Sequence, residues 1–472
     1  MNSKKDLSKR KILTLNLSKN AVGRLKAGAR KVSIKEGCAY SVTEGLGINY
    51  ISPYALALGA TNLHIGFLTS LPNLIGNFSQ LYALKLMTKI SRRKIAITAA
   101  ILQALMWLPI IGIGALFFIT NIKTPIVPLM LVLVYTILII FGSFIAPIWS
   151  SWMKDIVPSH HSGKYFGMRH RICGAVALVS MLMGSFILDY FKKTNLFLGF
   201  AIIFFIAFLF RLLSAFFFTK KYEPPLVLEE GYYFSFWNFT RRMHTNNFGK
   251  FVIYVSLMML VTAIASPFFA VYMLKNLQFG YLTYIVVTMS SVLSSLLFMP
   301  LWGKFSDKYG NLTSIRICGF LVPFVPVAWI FSPFILINFP GFLVPYLIIA
   351  EVFSGFSWAG FNLSAGNFIY DAVTRQRMAI CVSYFNILNG IGIFLGATLG
   401  GFIASINFPI IGLSSLLFIF LLSSALRLII SISMVSRINE VRHVRHFGIK
   451  EAEKHLSALT PEHILQHLRL RL

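Results

Sequence analysis

The chain has 472 residues, 57% of them hydrophobic and only 12% charged, with a mean hydropathy of +0.74. Soluble domains average about 25% charged residues, so these side chains cannot coat a water-exposed surface and a soluble fold of this length is excluded. Lys and Arg number 43 against 15 Asp and Glu, a net charge of +28. These bases sit between apolar runs rather than on one face, which argues against nucleic acid as the partner.

Residues 1–37 open with charge and lack the continuous apolar stretch of a signal peptide. They read as a basic cytoplasmic arm lying against anionic headgroups. Runs of about 20 mostly apolar residues, the length that crosses a bilayer, then recur at 38–58, 63–84, 95–119, 126–152, 172–190 and 195–219. After a central loop, 220–250, they resume at 251–274, 279–302, 314–336, 342–368, 378–404 and 408–434. The fold class this predicts is an all-α membrane protein of twelve transmembrane helices. Its first six-helix bundle covers 38–219, its second 251–434, and a tail occupies 435–472. Cys38, Cys173, Cys318 and Cys381 have no CxxC spacing and read as free thiols.

Orientation follows from the basic residues, which concentrate in cytoplasmic loops. With both termini inside, 37 of the 43 Lys and Arg fall on the inner side. Only Lys123, Lys192, Lys193 and Lys275 fall on the outer side. Arg211 and Arg427 lie late in spans six and twelve and are expected to snorkel to the headgroups.

The two halves repeat. ISPYALALGATNLHIGFLT from Ile51 and ASPFFAVYMLKNLQFGYLT from Ala265 share Ser52/Ser266, Pro53/Pro267, Asn62/Asn276, Gly66/Gly280 and Thr69/Thr283 at an offset of 214. At 216, Asp155 pairs with Asp371, Gly184 with Gly400 and Arg211 with Arg427. An offset of six spans relates the halves by an axis along the membrane normal, the arrangement of carriers whose halves rock about a midplane site.

Between spans eight and nine stands Gly303-Lys-Phe-Ser-Asp307-Lys308-Tyr-Gly310. It resembles the G-x-x-x-D-[RK]-x-G loop of the major facilitator superfamily. Gly303 would allow close helix approach, Asp307 would receive a helix N-terminus or a basic side chain, and Gly310 would permit the turn. The first-half counterpart, Met87 to Lys94, has Ser91 in place of the acid; its Arg92 and Arg93 could pair instead with Asp155 at the inner end of span four. The stretch from Asp155 to Arg169 is also similar to the family's loop after span four, with Ser162 where Arg is common. The resemblance covers 38–434 and is closest in flavour to prokaryotic members of unassigned substrate. It implies two pseudo-symmetric bundles, a latch at these loops in which Asp371 would mirror Asp155, and a monomer.

Glu44 and Glu351 are the acids that fall well inside predicted spans, and an intramembrane acid is by default a functional-site hypothesis. The family's cavity is lined by spans one, four, seven and ten, so the resemblance puts both acids on cavity helices as proton-coupling or substrate groups. The alternative is a bond that merely fixes packing. Glu351, Gly355, Trp358 and Asn362 share one helical face, as do Tyr40 and Glu44. Trp149 with Trp152, and Asn386 with Asn389, stand three apart, so these aromatics and amides could wall a pocket. His443, His446, His455, His463 and His467 dot the tail; a solvated helix is the better reading, and no metal site or cofactor is expected.

The expected function is secondary active movement of a small solute across the cell (plasma) membrane by alternating access, coupled to protons. No G-x-x-x-x-G-K-[ST] sequence is present to drive it with ATP. A facilitator-fold lipid or lysolipid carrier is the alternative. A membrane-embedded transferase is remote, because the adjacent acids, Glu229 and Glu230, lie in the central loop; the chain is not expected to be an enzyme.

Overall fold

Caps and prolines decide where the helices of this chain begin and bend. A computed structural model of the protein describes residues 19–87, 89–120, 124–158, 162–225, 235–374, 377–406 and 413–445. Each predicted span is a helix or a run of helices. In the first half these are Lys19–Leu46 followed by Ile51–Ala57, then Asn62–Met87, Arg92–Leu105 with Trp107–Phe118, Ile126–Ile156, Ser162–Phe191 and Leu196–Lys220. A short helix, Phe236–Arg242, precedes the second half. That half comprises Asn247–Ala263 with Phe268–Val271, Tyr281–Tyr309, Asn311–Leu321 with Phe324–Ile330 and Ser332–Asn338, Leu343–Ala372, Met378–Ala404 and Ser415–Val435. Polar side chains cap several starts, as the orphan amides of a helix N-terminus require: Asn195 accepts from the Leu198 amide, Asn246 from Gly249 and Ser414 from Leu417.

Among the described residues ten helices are both long and apolar enough to cross a membrane. Spans one and two are helical but more polar. Span one also starts at Lys19 rather than at 38, so the stretch read as the end of a basic arm is the first part of a helix. Residues 1–18 lie outside the described part, as do 226–234 with Glu229 and Glu230, and 446–472 with four of the tail histidines.

Spans one and seven both break, at related places. Span one turns at Gly47 into the short turn Ile48–Tyr50, and span seven breaks after Ala263, then winds into a wide turn at Tyr272–Asn276. Irregular backbone at membrane depth is tolerated where it lines protein or a cavity.

The apolar core is shared at one end and divided at the other. Leu46, Tyr54, Trp107 and Phe204 of the first half form one buried cluster with Phe268, Tyr284, Trp329 and Phe420 of the second. All lie at the end opposite the termini, hereafter the far end. At the end bearing the termini (the basic end), Ile95, Trp152 and Phe218 form a first-half cluster, and Phe251, Trp302 and Tyr384 a separate second-half one. The buried clusters of the two halves merge at the far end and are separate at the basic end, where spans two and eleven still touch through Gln80 and Asn386.

Candidate transport site and latches

Cross-half contacts at the far end pair charges with helix ends. Asp189 at the close of span five accepts from the Tyr281 and Leu282 amides, 2.9 and 2.8 Å away, at the start of span eight. In return, Lys275 Nζ donates to the Ala60 carbonyl at 2.9 Å, just past the end of span one, and Asn62 Nδ2 donates to the Ala404 carbonyl at 2.6 Å. A carboxylate at a helix N-terminus and an ammonium beside a helix C-terminus are the favourable placements. Spans two and eleven seal one flank through small residues. A Cβ built on Gly66 would stand 2.6 Å from the Ala397 carbonyl oxygen, so only glycine lets the helices sit this close. Asn386 Nδ2 donates to Gln80 Oε1 at 3.2 Å across the same seam.

The proposed acids sit in different surroundings. Glu44 is exposed, one turn before the Gly47 break, with its carboxylate in no ion pair among the described residues; the Asn49 amide holds only its backbone carbonyl, at 2.9 Å. Tyr40 and Tyr135 of span four stand beside it. Just beyond Glu44, Ile48, Ser52, Thr69, Asn73 and Tyr135 line a cavity of about 210 Å³ between spans one, two and four. Glu351 instead faces Ser291 of span eight and Trp329 of span nine. That direction is into the second bundle. Gly355, on the same face, packs against the Ser291 carbonyl.

The aromatics and amides named from sequence do not form one pocket. Trp152 is fully buried, donates from Nε1 to the Tyr222 carbonyl at 2.8 Å and stacks on Phe218; it is core, not cavity wall. Trp149 carries the Arg169 guanidinium 4.5 Å above its ring, and Trp358 packs edge-on against Phe361. Asn362 is exposed; Asn389 accepts from Ser256 at 2.9 Å inside the second half.

Arg211 and Arg427 are each 2% exposed and do not reach headgroups. Both lie two-thirds of the way along their helices but point inward, where polar partners are available. The Arg211 guanidinium lies 4.8 Å over the Tyr40 ring and donates to Ser214 Oγ, which donates to Glu36 Oε1 at 3.2 Å. Glu36 also faces Arg169 at 3.6 Å. Glu36 stands two residues before the apolar run of span one begins, within the charged first part of the helix, where hydropathy does not mark it as intramembrane. Arg427 has no acid partner among the described residues and donates to the Val322 and Thr262 carbonyls. Lys221, just past span six, is fully buried with its ammonium over the rings of Trp152, Trp149 and Phe218 at 4.6, 5.5 and 5.8 Å. Burial pushes the ammonium down to about 7, with the nearby Glu36 opposing that shift and Arg169 and Arg92 adding to it.

At the basic end the two loops expected to act as latches are built on the same plan with different parts. Ser91 caps span three and Arg92 is its first helical residue, reaching Asp155 Oδ2 at 2.7 Å, Glu223 at 3.8 Å and the Pro224 carbonyl at 2.8 Å. Arg93 is half-buried and outside this pair. In the second half Gly310 precedes span nine at φ +94°, a conformation that favours glycine, and the first helical residue is Asn311, donating to Asp371 at 2.7 Å. The missing positive charge arrives from beyond span twelve. Arg442 lies 3.1 Å from Asp371 and 3.7 Å from Asp307, and donates to the Ser306 carbonyl. Glu440, two residues earlier, accepts from the Leu312 amide at 2.7 Å and so caps span nine. Lys308 lies over the Tyr309 ring at 4.6 Å. Gly303 is not a close-approach glycine: a Cβ there would meet only Leu363, at an ordinary 3.7 Å. Among the described residues no group of His, Cys, Asp and Glu could hold a metal ion.

Comparison with known proteins agrees with this architecture. A search of curated proteins finds no match. Among solved structures, a mutant of nucleoside transporter NupG superposes with a TM-score of 0.65 at 13% identity, over 88% of this chain and 100% of that one. A bacterial homolog of the human lysosomal transporter Spinster, in an inward-facing and unoccupied conformation, gives 0.56 at 14% identity, over 90% and 100%. At such identities the likeness shows the fold alone. The family model described as Major Facilitator Superfamily matches residues 37–335 and again 248–460. With two six-helix bundles and a match over most of its length, the chain belongs to the major facilitator superfamily and is a multi-pass membrane transporter of a small-molecule substrate, not an enzyme.

Proposed function

We propose that the protein is a proton-coupled secondary transporter of the cell membrane, working as a monomer with both termini in the cytoplasm. The observation that carries coupling is Glu44. It is an exposed carboxylate deep in the first bundle, at a helix break, in no ion pair among the described residues. A carboxylate at membrane depth, open to the space between the spans and held by no cation, is free to take up and release a proton as that space changes face. Glu351 faces into the second bundle and is assigned second rank, as a packing or secondary proton group. The orientation rests on the basic residues crowding one end, and the separate buried clusters of the two halves at that end favour a resting state open to the cytoplasm. The Arg92–Asp155 and Arg442–Asp371 pairs, with Asp307, serve as latches that act on each half separately in that state. The cavity beside Glu44 is of small-solute size, which favours a solute over a lipid.

The test uses purified protein in liposomes with an internal pH dye. Solute-dependent proton entry that is lost in Glu44→Gln and kept in Glu351→Gln supports this assignment. Solute movement without proton movement in the unaltered protein overturns coupling.

A further inference from the structure

We infer that the cavity between spans one, two and four holds the transported solute, and that this solute is uncharged and carries several hydroxyl or amide groups. The inference rests on the transport reading and adds the substrate class to it. The cavity measures about 210 Å³, room for several waters or one small solute.

Four polar side chains turn toward this space, and each has spare hydrogen-bonding capacity. Among the described residues the hydroxyls of Ser52, Thr69 and Tyr135 make no hydrogen bond, although all three line the cavity. Asn73 donates from Nδ2 to the Thr69 carbonyl at 2.8 Å, which leaves Oδ1 unused. All four residues are half-buried, so these groups meet the cavity rather than the packed interior, and polar groups so placed are satisfied by water or by a bound solute. Four on one small space describe a surface that hydrogen-bonds something else.

The backbone adds to it. Pro72 lies inside span two and has no amide proton, so the Leu68 carbonyl, four residues earlier and also at the cavity, loses its helical donor. Donors and acceptors are both offered, and no formally charged side chain lines the space. A charged solute seated here would lose its hydration with no charged group on the cavity wall to replace it, Glu44 standing just outside that wall beside Tyr135. A neutral polyol or amide would not.

The repeat places the site in the first half only. Ser52 and Thr69 recur as Ser266 and Thr283, but the counterpart of Tyr135 at the offset of 216 is Glu351, beside Trp329 rather than beside hydroxyls. The duplicated surface has one neutral version and one acidic version.

The experiment measures binding to the purified full-length protein by calorimetry and thermal shift. The uncharged probes are glucose, ribose, inositol and uracil; the charged probes are citrate, phosphate, choline and spermidine. The expected result is binding of at least one uncharged probe, weakened tenfold or more by Thr69→Val with Tyr135→Phe and by Asn73→Ala, while these variants keep the unaltered melting temperature without ligand. Binding by charged probes alone overturns the substrate class, and liposome flux of such a probe would show that the transport reading survives it. Binding of an uncharged probe that ignores all three substitutions overturns the site. No binding by any probe, charged or uncharged, overturns both parts. An uncharged probe that binds as expected but never crosses the liposome membrane supports the site and removes the transport reading beneath it.

Discussion

Arg442 Nε lies 3.1 Å from Asp371 Oδ2, in the role that Arg92 fills beside Asp155 in the first half, although Arg92 opens a span and Arg442 follows the last one. The same contact between a cation and the inner end of a span is reached by two routes. Burial separates their energetics. Arg92 is 1% exposed, whereas the Arg442 side chain is 33% exposed.

Asp155→Ala therefore removes the shortest partner of a buried guanidinium, leaving it Glu223, Ser151 and the Pro224 carbonyl, and should cost about 2 kcal/mol. Asp371→Ala should cost about 1 kcal/mol, because Arg442 can turn to water. Chemical unfolding in detergent of the two variants side by side checks the order. Equal losses would show that the two latches are energetically alike.

Asp189→Ala removes the acceptor of two amides at the start of span eight, and with it a contact from one half to the other. The far end should then open more often. Spin-label distances between cysteines placed at Thr61 and Asn276, with the four native cysteines replaced, should broaden toward longer values. An unchanged distribution would mean that the apolar cluster alone holds this end.

Lys221 gives stability a pH dependence of known sign. Its folded value, about 7, lies below the roughly 10.4 of an unfolded lysine. Between those values the unfolded chain carries the extra proton, so stability rises with pH across that window and the gain is complete above it. Lys221→Met should raise the melting temperature at pH 7 by a few degrees and flatten its rise toward pH 10. A slope unchanged in the variant would assign it to another group.

Gly66→Val places a side chain against the Ala397 carbonyl, where even a Cβ would come within 2.6 Å. Spans two and eleven must separate, and the cost of such overpacking is about 1–3 kcal/mol. Transport should fall by tenfold or more while the protein still inserts and stays monodisperse. Gly23→Val, with nothing within 4 Å of the added atom, serves as the control and should transport normally.

The helices and their number could be read from the sequence because apolar length is a local property, and the Gly310 turn because a positive φ selects glycine. The Arg92–Asp155 contact was also within reach, since the two lie at the inner ends of neighbouring spans. Glu36 was missed because the charges of Lys19 to Lys35 hide a helix that hydropathy starts too late. Arg211 and Arg427 were misplaced because depth along a helix does not say which face a residue occupies; Tyr40 and the Val322 carbonyl, which do, come from other spans. Trp152 has the spacing of a pocket wall, but the segment after span six folds back to take its indole proton. Arg442 lay in a tail with no apolar pattern, and Asp189 at a loop edge. Both act on a partner at least 70 residues away, which no spacing rule reaches.

The source of Arg442 has a consequence for how the protein is made. The first half holds every part of its clasp once residue 225 has been synthesised, since Arg92, Asp155 and Glu223 all precede that point. The second half reaches the membrane with Asp307 and Asp371 still lacking their shared counter-charge. It receives that charge only when the ribosome has passed residue 442. Two halves copied from one plan thus mature on different schedules, and a chain halted after its twelfth helix would have all its spans but only one closed latch.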